Sequence, residues 1–81
     1  MNSTGFYPSA SAFVITPDDN ADLPRVVRGI HVGSSGDINM ILWDDTIAVV
    51  FKNMQTGVFY ALQIKRVLQT NTTAANLVGL A

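Results

Sequence analysis

The chain has 81 residues, enough for one domain and not two. Its five Lys and Arg against six Asp and Glu leave a formal net charge of −1, and only 14% of the residues are charged while 48% are hydrophobic. No cysteine is present, so disulfides and thiolate metal sites are excluded. A domain of this length buries only about 60% of the surface its unfolded chain exposes. Without cross-links it calls for another stabiliser, and association with copies of itself is the expected one.

Residues 1–11 are small and polar, interrupted by Gly5 and Pro8, and read as an N-terminal arm outside a domain spanning 12–81. Phe6 and Tyr7 in that arm are costly to leave in water, so they are candidates to plug into a neighbouring subunit. The first fourteen residues have no basic start and no long apolar stretch, so no signal peptide is expected, and synthesis in a cytoplasm is.

Ala12 to Thr16 predicts a short strand closed by Pro17 and a turn-rich loop through Asn20. Leu23 before Pro24 is biased to extended backbone. Arg25 to Val32 then predicts a strand with Val26, Arg28, Ile30 and Val32 on one face and Val27, Gly29 and His31 on the other. Gly29 suggests a bulge or a close approach by another backbone. Gly33-Ser34-Ser35-Gly36 reads as a hairpin turn.

Asp37 to Trp43 alternates as a strand and ends in the turn formers Asp44, Asp45 and Thr46. Ile47 to Lys52 is apolar on both faces and predicts a central strand. After the turn Asn53–Gly57, Val58 to Leu68 predicts a long strand with a bend. A polar loop at 70–75 leads to a final strand at 76–81. Gly79 and the short length argue against a helix there. Turns about every ten residues predict an all-β module of six or seven antiparallel strands, a sandwich of jelly-roll or barrel character.

No catalytic set emerges. His31 is flanked by Ile30 and Val32, and Ser34 and Ser35 lack a histidine–acid pair at any suggestive spacing. The Gly-Ser turn is followed by a strand, not by the helix a phosphate cradle needs. Asp18, Asp19, Asn20 and Asp22 form an acidic loop in which a bound Ca²⁺ is a minor alternative to a turn. No cofactor or metal is expected, and no enzyme. Arg25, Arg28, Lys52, Lys65 and Arg66 are too few and too interleaved with acids to track phosphates, so no nucleic acid is expected. No apolar run nears the roughly 20 residues that cross a bilayer, so no membrane is expected. Trp43, Phe59 and Tyr60 read as core or interface anchors, with a sugar-binding platform of Trp43 and Tyr60 as the alternative.

Four segments carry a resemblance: D-L-P-R-V-V-R-G-I-H-V-G at 22–33, the following Gly36-Asp37, T-I-A-V-V-F-K-N-M-Q-T-G at 46–57, and K-R-V-L-Q-T-N-T-T-A-A-N-L-V-G-L at 65–80. In order and spacing they resemble small tailed-phage virion proteins, in particular the spike base family of the gene transfer agent capsid. The chain departs from that pattern at Val27, where a small residue is usual, and at Trp43-Asp44-Asp45.

The resemblance implies a virion protein on the capsid surface, made in the host cytoplasm. It would be a ring or cluster that binds the major capsid shell and supports a fibre, or a decoration protein that caps capsomers. It implies no catalytic residues. A pentamer is the favoured assembly and a trimer the alternative. Contacts are expected from Phe6, Tyr7, Trp43, Phe59 and Tyr60, with Arg25, Arg28 and Arg66 pairing with acids on partners. The competing readings are a carbohydrate- or receptor-binding module and a head–tail connector or tail accessory.

Overall fold

Short runs of β-branched and aromatic residues, separated by Pro, Gly, Asp and Asn, become seven strands in the computed structural model, which describes residues 9–81. They are β1 (Ala12–Val14), β2 (Gly29–Ser34), β3 (Gly36–Leu42), β4 (Val49–Met54), β5 (Phe59–Tyr60), β6 (Ile64–Val67) and β7 (Ala75–Leu80). All pairings are antiparallel. One sheet has the order β1-β7-β2-β5 and the other β4-β3-β6, so the fold is the all-β sandwich expected from the sequence.

The inner faces meet in one apolar layer. Ile30 and Val32 from β2 and Leu77 from β7 join Ile38 and Met40 from β3 and Ile64 and Val67 from β6. Ile15 and Val27 complete it from the connecting segments. Each such side chain contributes roughly 1.5–3 kcal/mol by leaving water. No disulfide supplements this layer.

Three expectations change because the chain switches sheets where its local pattern looks continuous. The 25–32 run is not one strand. Val27 bridges Ile64 beside the three-stranded sheet, whereas Gly29 already pairs with Leu80 in the four-stranded one. The switch at Arg28 reverses the alternation, so Val27 and Ile30 are both fully buried and Val26 is exposed. A Cβ on Gly29 would lie 2.1 Å from Phe59 Cε1, so the close approach there comes from a ring and not from a backbone.

Gly33 to Gly36 is likewise not a hairpin. Only Ser35 separates β2 from β3, and the two strands belong to different sheets. Neither glycine has the positive φ of a tight hairpin turn; Gly57 is the described glycine that does. Their task is clearance: a Cβ on Gly33 would come 2.6 Å from Asn76 O, and one on Gly36 2.6 Å from Ala74 N. The 58–68 run splits in the same way, β5 pairing with β2 and β6 with β3.

The fourth change concerns position. The Ile47–Lys52 segment, expected to be central, contributes β4, an edge strand paired only with β3 among the described residues. Its inner face still reaches the core through Phe51 and Met54, while Val49 is exposed. By contrast the free edge of β6 is shielded by the segment after β1. Asp18 N donates to Val67 O at 2.9 Å, Leu23 N to Lys65 O at 2.8 Å, and Ile64 N to Val27 O at 3.1 Å.

Replacing Ile30 or Ile64 with Ala is expected to cost about 3 kcal/mol by opening a cavity in the layer. Chemical denaturation followed by circular dichroism would measure it; a loss below about 1 kcal/mol would contradict the single-layer core.

Candidate assembly surface

The molecule presents two unlike outer surfaces. On the four-stranded sheet, register places Val14, Val78, His31 and Phe59 in one cross-strand row and Ala12, Leu80 and Gly29 in the next. None of these side chains is a carboxylate, a lysine or an arginine. Val14 is 73% and Phe59 49% exposed. This face is an apolar plate with one imidazole in it.

The three-stranded sheet turns a polar face outward. Asn39 of β3 is buried there beneath the 68–73 loop: its N donates to Thr72 Oγ1 at 2.9 Å and its Nδ2 to Thr70 O at 3.0 Å. Asp37 closes a bulge in β4, where Asn53 adopts a left-handed φ of 57°. Asp37 Oδ1 accepts from Asn53 N at 3.0 Å and Oδ2 from Lys52 Nζ at 3.2 Å. These bonds, led by the Asn53 amide, hold the Asp37 carboxyl below its ordinary pKa. Asp19 is lowered too, chiefly by the Thr70 hydroxyl, which donates at 2.6 Å, with the Thr70 and Gln69 amides at 2.9 and 2.8 Å.

The residues singled out from sequence fall into distinct places. Phe6 and Tyr7 lie outside the described residues. Arg66 is engaged within its own chain, Nε donating to Asp22 Oδ1 at 2.9 Å and a guanidinium nitrogen to Asp19 O at 3.1 Å. That geometry also occupies the acidic loop read as a minor calcium candidate, whose Asp18 accepts from Asn20 N at 2.8 Å. Among the described residues no three His, Cys, Asp or Glu come together as a metal site. Trp43 follows β3 while Tyr60 pairs with Ile30 in the other sheet and accepts a bond from Gln55 N at 2.9 Å, so the two rings belong to different sheets. Arg25 and Arg28 are exposed and make no ion pair with any described residue.

Sequence reasoning missed Ile47, Val49, Val14 and Val26, all exposed and apolar. Ile47 and Val49, 76% and 54% exposed, line a shallow depression with Asp44, Asp45 and Thr46. The signal was the two-faced apolar run I-A-V-V-F, which marks a strand covered on both sides but not whether the cover comes from the same chain. The Tyr60 bond to Gln55 folds the β4–β5 connection back, so the two edge strands flank one side of the sandwich. Ile47, Val49, Val58 and Phe59 lie on or beside them.

No protein-family model and no curated protein matches the chain. Among solved structures, one chain from a capsid of a native GTA particle, computed with C5 symmetry, superposes with a TM-score of 0.81. The two sequences are 31% identical, and the match covers 91% of this chain and 84% of that one. The chain belongs to the family of this capsid component. It is a capsid-related structural protein, and the four segments that carried the resemblance lie inside that fold.

Because Asp19 and Asp37 are depressed in the folded state, their stabilisation is fully present above the ordinary aspartate value and is lost as pH falls through the lowered values. The double variant Asp19→Asn, Asp37→Asn is therefore expected to be less stable at neutral pH. Its stability should also vary less between about pH 5 and pH 2. Thermal unfolding across that range checks it, and identical pH profiles for the two proteins would refute it.

Proposed function

We propose that this protein is a virion component of the capsid surface, an oligomeric head-spike base or decoration protein that binds the major capsid shell. The observation that carries the reading is the 31% identical structural neighbour from a capsid, matched over 91% of this chain. A five-membered ring is the assembly we take first, with a trimer as the alternative. The surface agrees with that role. An isolated small domain rarely leaves an apolar sheet face in water, and among the described residues this one presents such a face.

In this reading Trp43, Phe59 and the newly recognised Ile47 and Val49 supply apolar contact, and Arg25 and Arg28 supply charge. Tyr60 and Arg66 act indirectly, by holding the 55–60 turn and the acidic loop in place. Phe6 and Tyr7 remain candidates to reach a neighbouring subunit or the shell. A fibre would seat on the assembled ring.

Sedimentation velocity on the purified chain is expected to show an oligomer, and antibody labelling of purified particles to place it on the head. Ile47→Asp with Val49→Asp should weaken association by about 100-fold, near tenfold for each apolar side chain replaced, with the circular dichroism of the strands unchanged. A stable monomer that is also absent from purified particles would end the proposal. Label confined to the tail would transfer the protein to the tail-accessory reading.

A further inference from the structure

We infer that copies of this chain associate head to tail, the Asp44–Asp45 loop of one copy docking on the Arg25–Arg28 segment of the next. The inference rests on the ring reading above and names the two surfaces that would meet.

A closed ring with more than two members needs a heterologous interface, in which two different patches of the same chain complement each other. The three-stranded sheet supplies two such borders. Its order is β4-β3-β6, and beyond β6 the chain continues the layer through Val27, bridged to Ile64. The Asp44–Asp45 loop joins β3 to β4 at one border, and Arg25, Val26 and Arg28 flank Val27 at the other.

Both borders open at the same end of the sandwich. Val27 pairs with Ile64, Ile64 with Leu42, and Trp43 N donates to Gln63 O at 2.9 Å, so the acidic loop and the arginine segment leave neighbouring rungs. Two or three strand spacings, about 10–15 Å, lie between them. They make no ion pair within one copy, where the described ion pairs are Lys52–Asp37 and Arg66–Asp22.

The two patches are opposite in charge and alike in apolar character. Asp44 and Asp45 are exposed beside Trp43 and Ile47; Arg25 and Arg28 are exposed around Val26, which is 46% exposed. Lys65 adds a third cation to the arginine border, and of the acids in the loop along β6, Asp22 is taken by Arg66 and Asp19 by Thr70 and Gln69. Rotation to the next copy matches acid with base and Trp43 or Ile47 with Val26.

Charge reversal tests this on the intact chain. Asp44→Lys with Asp45→Lys, and separately Arg25→Glu with Arg28→Glu, are each expected to raise the dissociation constant about 100-fold at about 0.15 M salt. Combining all four substitutions should restore it to within about tenfold of the parent, and mixing the two reversed proteins should give alternating hetero-oligomers with equal numbers of each, since each supplies what the other lacks and a five-membered ring cannot alternate two species. Thermal unfolding of each variant verifies that the fold is intact; none of the four side chains is in the core. An oligomer indifferent to both reversals, or four substitutions no better than two, overturns this interface and leaves the ring standing. A parent chain that stays monomeric overturns the ring reading itself.

Discussion

The structure depends on a single apolar layer held between two sheets that the chain visits alternately. β2, β5 and β7 face β3 and β6 across it, and the passages between sheets occur within very few residues. Crossing at Arg28–Gly29 buries Val27 and Ile30 from opposite parities of one run, and crossing at Ser35 takes the chain from Val32 in one sheet to Ile38 in the other, both buried. Such abrupt switches need room. Gly29 yields space to the Phe59 ring, and Gly33 and Gly36 to the backbone around 74–76. With no cross-link to share the task, this interleaving ties the described strands to one apolar layer.

The polar groups are arranged to finish loops, leaving the plate bare. Asp19 gathers Gln69 and Thr70, Asp37 gathers Lys52 and Asn53, and Asn39 is roofed by Thr70 and Thr72. All three sit on the side of the three-stranded sheet. The ion pairs themselves contribute little at such exposure; their value is in fixing the long connections that shield the β6 edge and the back of β3. Among the described residues, the opposite plate and the β4 border leave apolar side chains exposed.

This division suits a capsid component. A particle assembled from many copies draws on repeated modest contacts, so a subunit can be sparsely charged, carry unlike borders and stop growing by closing on itself. The neighbour from the GTA capsid shares the fold across nine-tenths of this chain.

What could be read from the residues was local. Val, Ile, Thr and aromatic runs marked where backbone is extended, Asp, Asn, Gly and Pro marked where it turns, and the four resemblance segments pointed to a capsid relative. The Thr-rich 70–73 stretch was legible as a loop, and β3 and β7 fell within a residue or so of their expected limits. Sheet membership was not legible, because period-two alternation is the same in either sheet and carries no record of which partner lies alongside. Val27 meeting Ile64 and Gly29 meeting Leu80 are contacts between residues far apart in the chain, and they alone reversed the faces of the 25–32 run. The same holds for Ile47–Phe51: its sequence determined that both faces would be apolar, and only the tertiary arrangement decided that β4 lies at a sheet edge, with Phe51 packed on the core and Ile47 and Val49 exposed.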